Sequence, residues 1–135
     1  MFRKTAFILL ILLSACKLKH SQSLSQEENG DIIIKIKEEG GFTGGYGPYS
    51  FHSSGFLLFR GDSLRELNDK ELSMLKKQVT LIRALPAYQS SGQVIIKRSL
   101  ILFSQQDTIS FIWDLEDERA ARHNQIYRRL SQMTN

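Results

Sequence analysis

The sequence predicts an α+β fold: an antiparallel sheet of about five strands with two amphipathic helices packed on one face, in the order β-β-β-α-β-β-α. Three observations point there. Apolar residues alternate with period two at Ile32, Ile34 and Ile36 and again at Ile109, Phe111 and Trp113. They recur every three or four residues at Leu72, Leu75, Val79 and Ile82, and from Ala120 to Leu130. Short Gly- and Ser-containing turns separate the strands, as an antiparallel sheet needs. The 135 residues, 41% hydrophobic and 24% charged, suit a single domain with its own core.

The first strand occupies residues 31–37, half-buried because its isoleucines face one way. Residues 40–48 interrupt it with five of the nine glycines of the chain. Strands at 49–52 and 56–60 flank Ser53-Ser54-Gly55, a hairpin turn in which glycine supplies positive φ. After Gly61 the period changes to helical. Asn68 is the expected N-cap, with Glu71 three residues on as its capping-box partner, and Pro86 ends the helix. Ser90-Ser91-Gly92 forms a loop, and strands at 93–103 and 108–113 follow, joined by residues 104–107. The former has apolar residues on both faces, which predicts a central position. The second helix runs over residues 115–133 with Ala120, His123, Ile126, Tyr127 and Leu130 on its buried side. Glu116, Asp117 and Glu118 at its start and Arg128 and Arg129 near its end complement the helix dipole.

The N-terminus carries a different signal. Arg3 and Lys4 precede the uninterrupted apolar run 6–13 and the small residues Ser14 and Ala15, the layout of a secretory signal. As a helix, residues 6–15 would span about 15 Å, half of a hydrocarbon core of roughly 30 Å, too short to cross a bilayer. Leu13-Ser14-Ala15-Cys16 resembles the bacterial lipobox. The resemblance implies cleavage after Ala15, a diacylglycerol thioether on Cys16, and anchoring of the chain to a lipid membrane. The alternative is an ordinary secretory signal and a soluble exported protein.

Residues 17–29, rich in Ser and Gln, read as a flexible tether of root-mean-square reach about 20 Å. Lys17, where the sorting rule of enteric bacteria would place Asp for inner-membrane retention, resembles an outer-membrane address. The expected organisation is a signal peptide at 1–15, lipidated Cys16 and tether at 16–29, and one domain at 30–135. Cys16 is the only cysteine, so the domain has no disulfide and no thiol chemistry. Net charge is +4, but Arg3 and Lys4 belong to the leader, leaving 16 basic against 14 acidic residues. That balance argues against a nucleic-acid partner.

Catalytic constellations are missing from the sequence. His20, His52 and His123 are scattered, without HExxH or a cysteine pair, so no metal site and no cofactor is expected. Ser53 and Ser54 adjoin His52, but strand alternation would point neighbours to opposite faces and no nucleophile elbow surrounds them. The acidic residues 114–118 are explained by helix capping. Arg119, Arg122, Arg128 and Arg129 read either as a solvated helix face or as contacts to anionic head groups. No enzyme is expected.

The glycine-rich segment lacks the Lys-Ser/Thr ending and following helix of a phosphate loop. Two readings stay open: a long hairpin connection with bulges, or a recognition loop of Gly41, Phe42, Thr43, Gly44, Gly45, Tyr46 and Tyr49 whose aromatic residues anchor a partner.

Gly40-Gly41-Phe42-Thr43-Gly44 after a strand, then short strands, a helix bearing Leu-Asn-Asp-Lys-Glu-Leu (67–72), a strand pair and a final helix resemble the small bacterial emfourin-like domains. The similarity covers residues 31–131, and the leader is a departure from that pattern. The member that names the group inhibits thermolysin-type metalloproteases. The resemblance implies a protein-binding module of the cell envelope acting as a protease inhibitor on an envelope protein partner. A structural lipoprotein of an envelope assembly, without inhibitory activity, is the alternative.

Overall fold

The computed structural model describes residues 30–40, 45–90 and 96–135. It is an α+β structure built on one antiparallel six-stranded sheet. The strands are β1 (Ile33–Gly40), β2 (Tyr46–His52), β3 (Phe56–Phe59), β4 (Asp62–Glu66), β5 (Ile96–Phe103) and β6 (Thr108–Asp114). Helix α1 (Asp69–Arg83) follows β4, and α2 (Ala121–Ser131) follows β6 with a short 3-10 turn at each end. Strand order across the sheet is β4-β3-β2-β1-β5-β6.

The sheet therefore has one strand more than expected. β4 was hidden because Asp62, Ser63 and Leu64 are exposed and show no apolar alternation; it is an edge strand that buries almost nothing. Its turn was also unmarked. Arg60 (φ 53) and Gly61 (φ 93) both take left-handed backbone between paired Phe59 and Asp62, the geometry of a two-residue hairpin that usually draws Asn-Gly. The central placement expected for β5 holds, since it lies between β1 and β6.

One face of the sheet supplies the core. Cross-strand partners Ile34, Phe51 and Leu57 form one row with Leu102, and Ile36 forms the next with Leu100 and Phe111; every side chain in both rows is buried. Leu75 and Ile82 of α1 and Ile126, Tyr127 and Leu130 of α2 close over them in the same cluster. The five residues expected on the inner side of the second helix are all buried. On the opposite face Lys35, Thr108, Ser110 and Ile112 are exposed.

Helix α1 starts as expected. Glu71 N–H donates to Asn68 Oδ1 at 3.0 Å and Asn68 N–H to Glu71 Oε2 at 2.9 Å. Arg65 of β4 reaches the same Glu71 carboxylate in a two-pronged contact of 2.9 and 2.6 Å and also donates to Met133 O at 2.6 Å. That fork, above all, holds the Glu71 carboxyl below its ordinary value. It binds the edge strand, the helix N-terminus and the C-terminal turn at one point. The second helix differs from expectation at its start. Asp117 caps the 3-10 turn by accepting from Arg119 N–H, and the first turn of α2 itself carries no acidic residue.

Candidate functional site

Of the residues singled out from sequence, Cys16, Gly41, Phe42, Thr43 and Gly44 lie outside the described residues. Gly45, Tyr46 and Tyr49 are placed, and Tyr46 and Tyr49 belong to β2 rather than to a loop. The pairing of β1 with β2 steps from Ile36–Tyr49 to Glu38–Tyr46, so β2 carries one extra residue there. This bulge turns Tyr46 and Tyr49 to the same face despite their odd spacing.

The result is an aromatic row. The Tyr46 and Tyr49 rings are 4.9 Å apart between centroids, Tyr49 and Phe59 are also 4.9 Å apart, and the Arg60 guanidinium stands 5.0 Å over Phe59. All three residues are half-buried, and Tyr46 and Tyr49 pack against the core cluster. The Tyr46 hydroxyl is held by Thr134 Oγ1 beyond the end of α2. Rings held by such packing lose little side-chain entropy when a partner covers them. Arg60 gains its position through a left-handed backbone that a non-glycine residue adopts at a cost of about 1 kcal/mol.

A second cluster centres on Asp31. Its carboxylate accepts from His52 Nδ1 at 2.7 Å, Ser53 Oγ at 2.9 Å, Ser54 N–H at 3.0 Å and Ser54 Oγ at 3.2 Å. Strand alternation was expected to separate the serines from His52, but both are turn residues and converge with it. Burial pushes the Asp31 carboxyl up, and the hydrogen bonds from His52, Ser54 and Ser53 outweigh it, leaving the group below its ordinary value. The hydroxyls address the carboxylate rather than His52 Nε2, so the three do not form the Ser-His-Asp relay that acyl transfer needs. The cluster fastens the β2–β3 turn to the start of β1, where Ile32 N–H donates to Ser53 Oγ at 2.8 Å.

Beneath α2 lies a polar seam that sequence reading missed. Arg98 Nε donates to Glu38 Oε2 at 2.8 Å and Arg98 Nη1 to Asn124 Oδ1 at 3.0 Å, while the guanidinium sits 4.5 Å over the Tyr127 ring. Trp113 Nε1 donates to the same Asn124 oxygen at 2.9 Å. Asn124 also lines an open cleft of about 530 Å³ between Glu116, Glu118, Arg128 and Arg129. The four helix arginines considered above are exposed, and Arg119 pairs with Asp117 at 2.6 Å. Asp114 is buried and accepts from Ser90 Oγ at 2.9 Å. No three His, Asp or Glu side chains gather as a metal site among the described residues. No helix among them is long and apolar enough to cross a membrane.

His123 is 1% exposed, enclosed by Tyr88, Phe111 and Trp113, and neither ring nitrogen has a hydrogen-bond partner among the described residues. Burial pushes its pKa below the ordinary 6.5, the nearby Pro86 backbone acting in the opposite direction without reaching hydrogen-bond geometry. A depressed pKa means that the unfolded chain binds the proton first, so this stability is present above about pH 6.5 and is lost as pH falls below it. Thermal unfolding followed from pH 7.5 downward is expected to show the loss, and His123→Phe to flatten it; an unchanged pH slope in that variant would exclude His123 as its source.

Comparison of the chain with protein-family models, with curated proteins and with solved structures finds no match.

Proposed function

We propose that this chain is a lipid-anchored protein-binding module of the cell envelope, tethered through acylated Cys16 at the outer membrane. Its contact surface is the end of the β1–β2 hairpin. The aromatic row of Tyr46, Tyr49 and Phe59, topped by Arg60, carries this reading: three half-buried rings in mutual contact with a guanidinium over the last of them. Aromatic and arginine side chains dominate the energetics of protein contacts when they are held in place in this way. The partner class is a thermolysin-type metalloprotease, which the domain inhibits by covering its cleft.

The test is an inhibition assay with the full chain. Asn tolerates left-handed backbone better than Arg, so Arg60→Asn is expected to keep or raise the melting temperature while weakening inhibition by about tenfold. Phe42→Ala is expected to weaken it similarly. No inhibition at about 10 µM wild-type chain would end the protease reading. Loss of palmitate labelling in Cys16→Ser tests the anchor separately. A structural role in an envelope assembly is the second reading, and the outer edge of β6, unpaired among the described residues, favours it.

A further inference from the structure

We infer that β6 is a self-association edge, and that two copies of this chain join through an antiparallel β6–β6 pairing centred on Phe111. The sheet has two edges, and they are built differently. β4 is five residues long, carries Asp62, Arg65 and Glu66, and its pairing with β3 shifts register between Leu57 and Leu58. Short length, charge and a bulge are the devices that keep an edge from pairing with another chain. β6 has seven residues and no Pro, Lys or Arg, and its register with β5 runs unbroken from Thr108 to Asp114. Among the described residues no strand pairs with its outer side.

The phase of the free groups follows from one hydrogen bond. Leu115 N–H donates to Ile96 O at 3.2 Å, directly beyond the Lys97–Asp114 pair. In an antiparallel ladder hydrogen-bonded pairs alternate, so residues 109, 111 and 113 turn their backbone groups toward β5. The N–H and C=O of Thr108, Ser110 and Ile112 therefore point away from the sheet. The Ile112 side chain is 53% exposed beside them.

A second copy fits this edge better than the alternatives. With the two-fold axis through Phe111, Ser110 lies opposite Ile112 of the other copy at both ends of the contact. Each of these pairs exchanges two backbone hydrogen bonds, four in all. Asp114, the only charge in β6, is buried and bound by Ser90, and its register position opposes Thr108 of the second copy rather than a like charge. The two Ile112 side chains become diagonal neighbours on the outer face and cover one another. Setting β4 of another copy against β6 would instead lay Asp62 and Glu66 along a strand whose one charge is already a carboxylate, in a head-to-tail contact that does not close.

Sedimentation of the mature Cys16→Ser chain, residues 16–135, tests the proposal, because it has no apolar leader, acyl chain or thiol to bring copies together. A mass of two chains is expected in a series reaching about 100 µM. Ser110→Pro removes an outward N–H that makes no bond within the sheet, and Ile112→Lys places a charge at the contact. Each is expected to weaken the dimer at least tenfold, with the melting temperature unchanged at dilutions where the chain is monomeric. If Ser110→Pro fails to fold, Ile112→Lys decides alone. A single-chain mass at the highest concentration, a dimer indifferent to Ile112→Lys, or growth beyond two chains would each overturn the assignment.

Discussion

Replacing Trp113 with alanine is expected to destabilise the domain by about 4 kcal/mol, the range found for large aromatic truncations in cores. Trp113 is fully buried on the helix-facing side of β6, packed edge-on to Tyr127 at 6.0 Å and tilted against His123 at 5.4 Å. Its loss removes the floor of α2 and one of the two donors to Asn124 Oδ1, leaving Arg98 to hold that oxygen alone. Trp113→Phe keeps most of the ring volume and should cost roughly half as much. Because this is the only tryptophan, denaturant unfolding has to be followed by circular dichroism in both variants. Ile112→Ala, one position away on the solvent side, serves as the control and should stay within about 0.5 kcal/mol at dilutions where the chain is monomeric. A loss below about 1 kcal/mol in Trp113→Ala would mean that α2 does not depend on this contact.

Gly45→Ala is expected to cost about 3 kcal/mol, lowering the melting temperature by roughly 10–20 °C. Gly45 has φ +91, and an added Cβ would stand 2.2 Å from the Glu38 carbonyl oxygen. That oxygen belongs to β1, which is paired on both sides and cannot retreat without breaking the ladder to β5. Gly47 is less confined, since a Cβ added there would come within 2.9 Å of the nearest backbone atom, and one added at Gly55 meets nothing within 4 Å at φ +107. The order of damage in melting experiments should be Gly45→Ala, then Gly47→Ala, then Gly55→Ala. An equal loss at all three would mean that backbone angle alone, without close approach, explains these glycines. The series also separates the two readings of the glycine-rich segment, because Gly45 and Gly47 serve the bulge that turns Tyr46 and Tyr49 to one face.

Elements whose stability comes from one buried face were legible in the sequence. Ile34 and Ile36 betrayed β1, Phe111 and Trp113 betrayed β6, and Leu75 and Ile82 with the Asn68–Glu71 box marked α1 to its first residue. β4 was not legible because its place is set by Arg65 reaching Glu71 and Met133, contacts that leave no period in the chain. The aromatic row was half legible. Tyr46 and Tyr49 stood out by composition, but Phe59 and Arg60 joined them only through strand pairing and an unmarked turn. Asp31 gathers His52, Ser53 and Ser54 from more than twenty residues away, and Arg98 meets Glu38 across sixty.

The sequence by itself determined the class of fold, the inward faces of the main strands and helices, and the capping of α1. Each of these follows from local chemistry: side-chain period, backbone angle, or a hydrogen bond a few residues away. Tertiary structure alone decided the order of strands, the bulge that aligns Tyr46 with Tyr49, the polar seam around Arg98 and Asn124, and the difference between a guarded edge at β4 and one at β6 that is unpaired among the described residues. These depend on which distant residues share a sheet neighbour. Register is a long-range choice made by the whole core, and a single segment carries no mark of it.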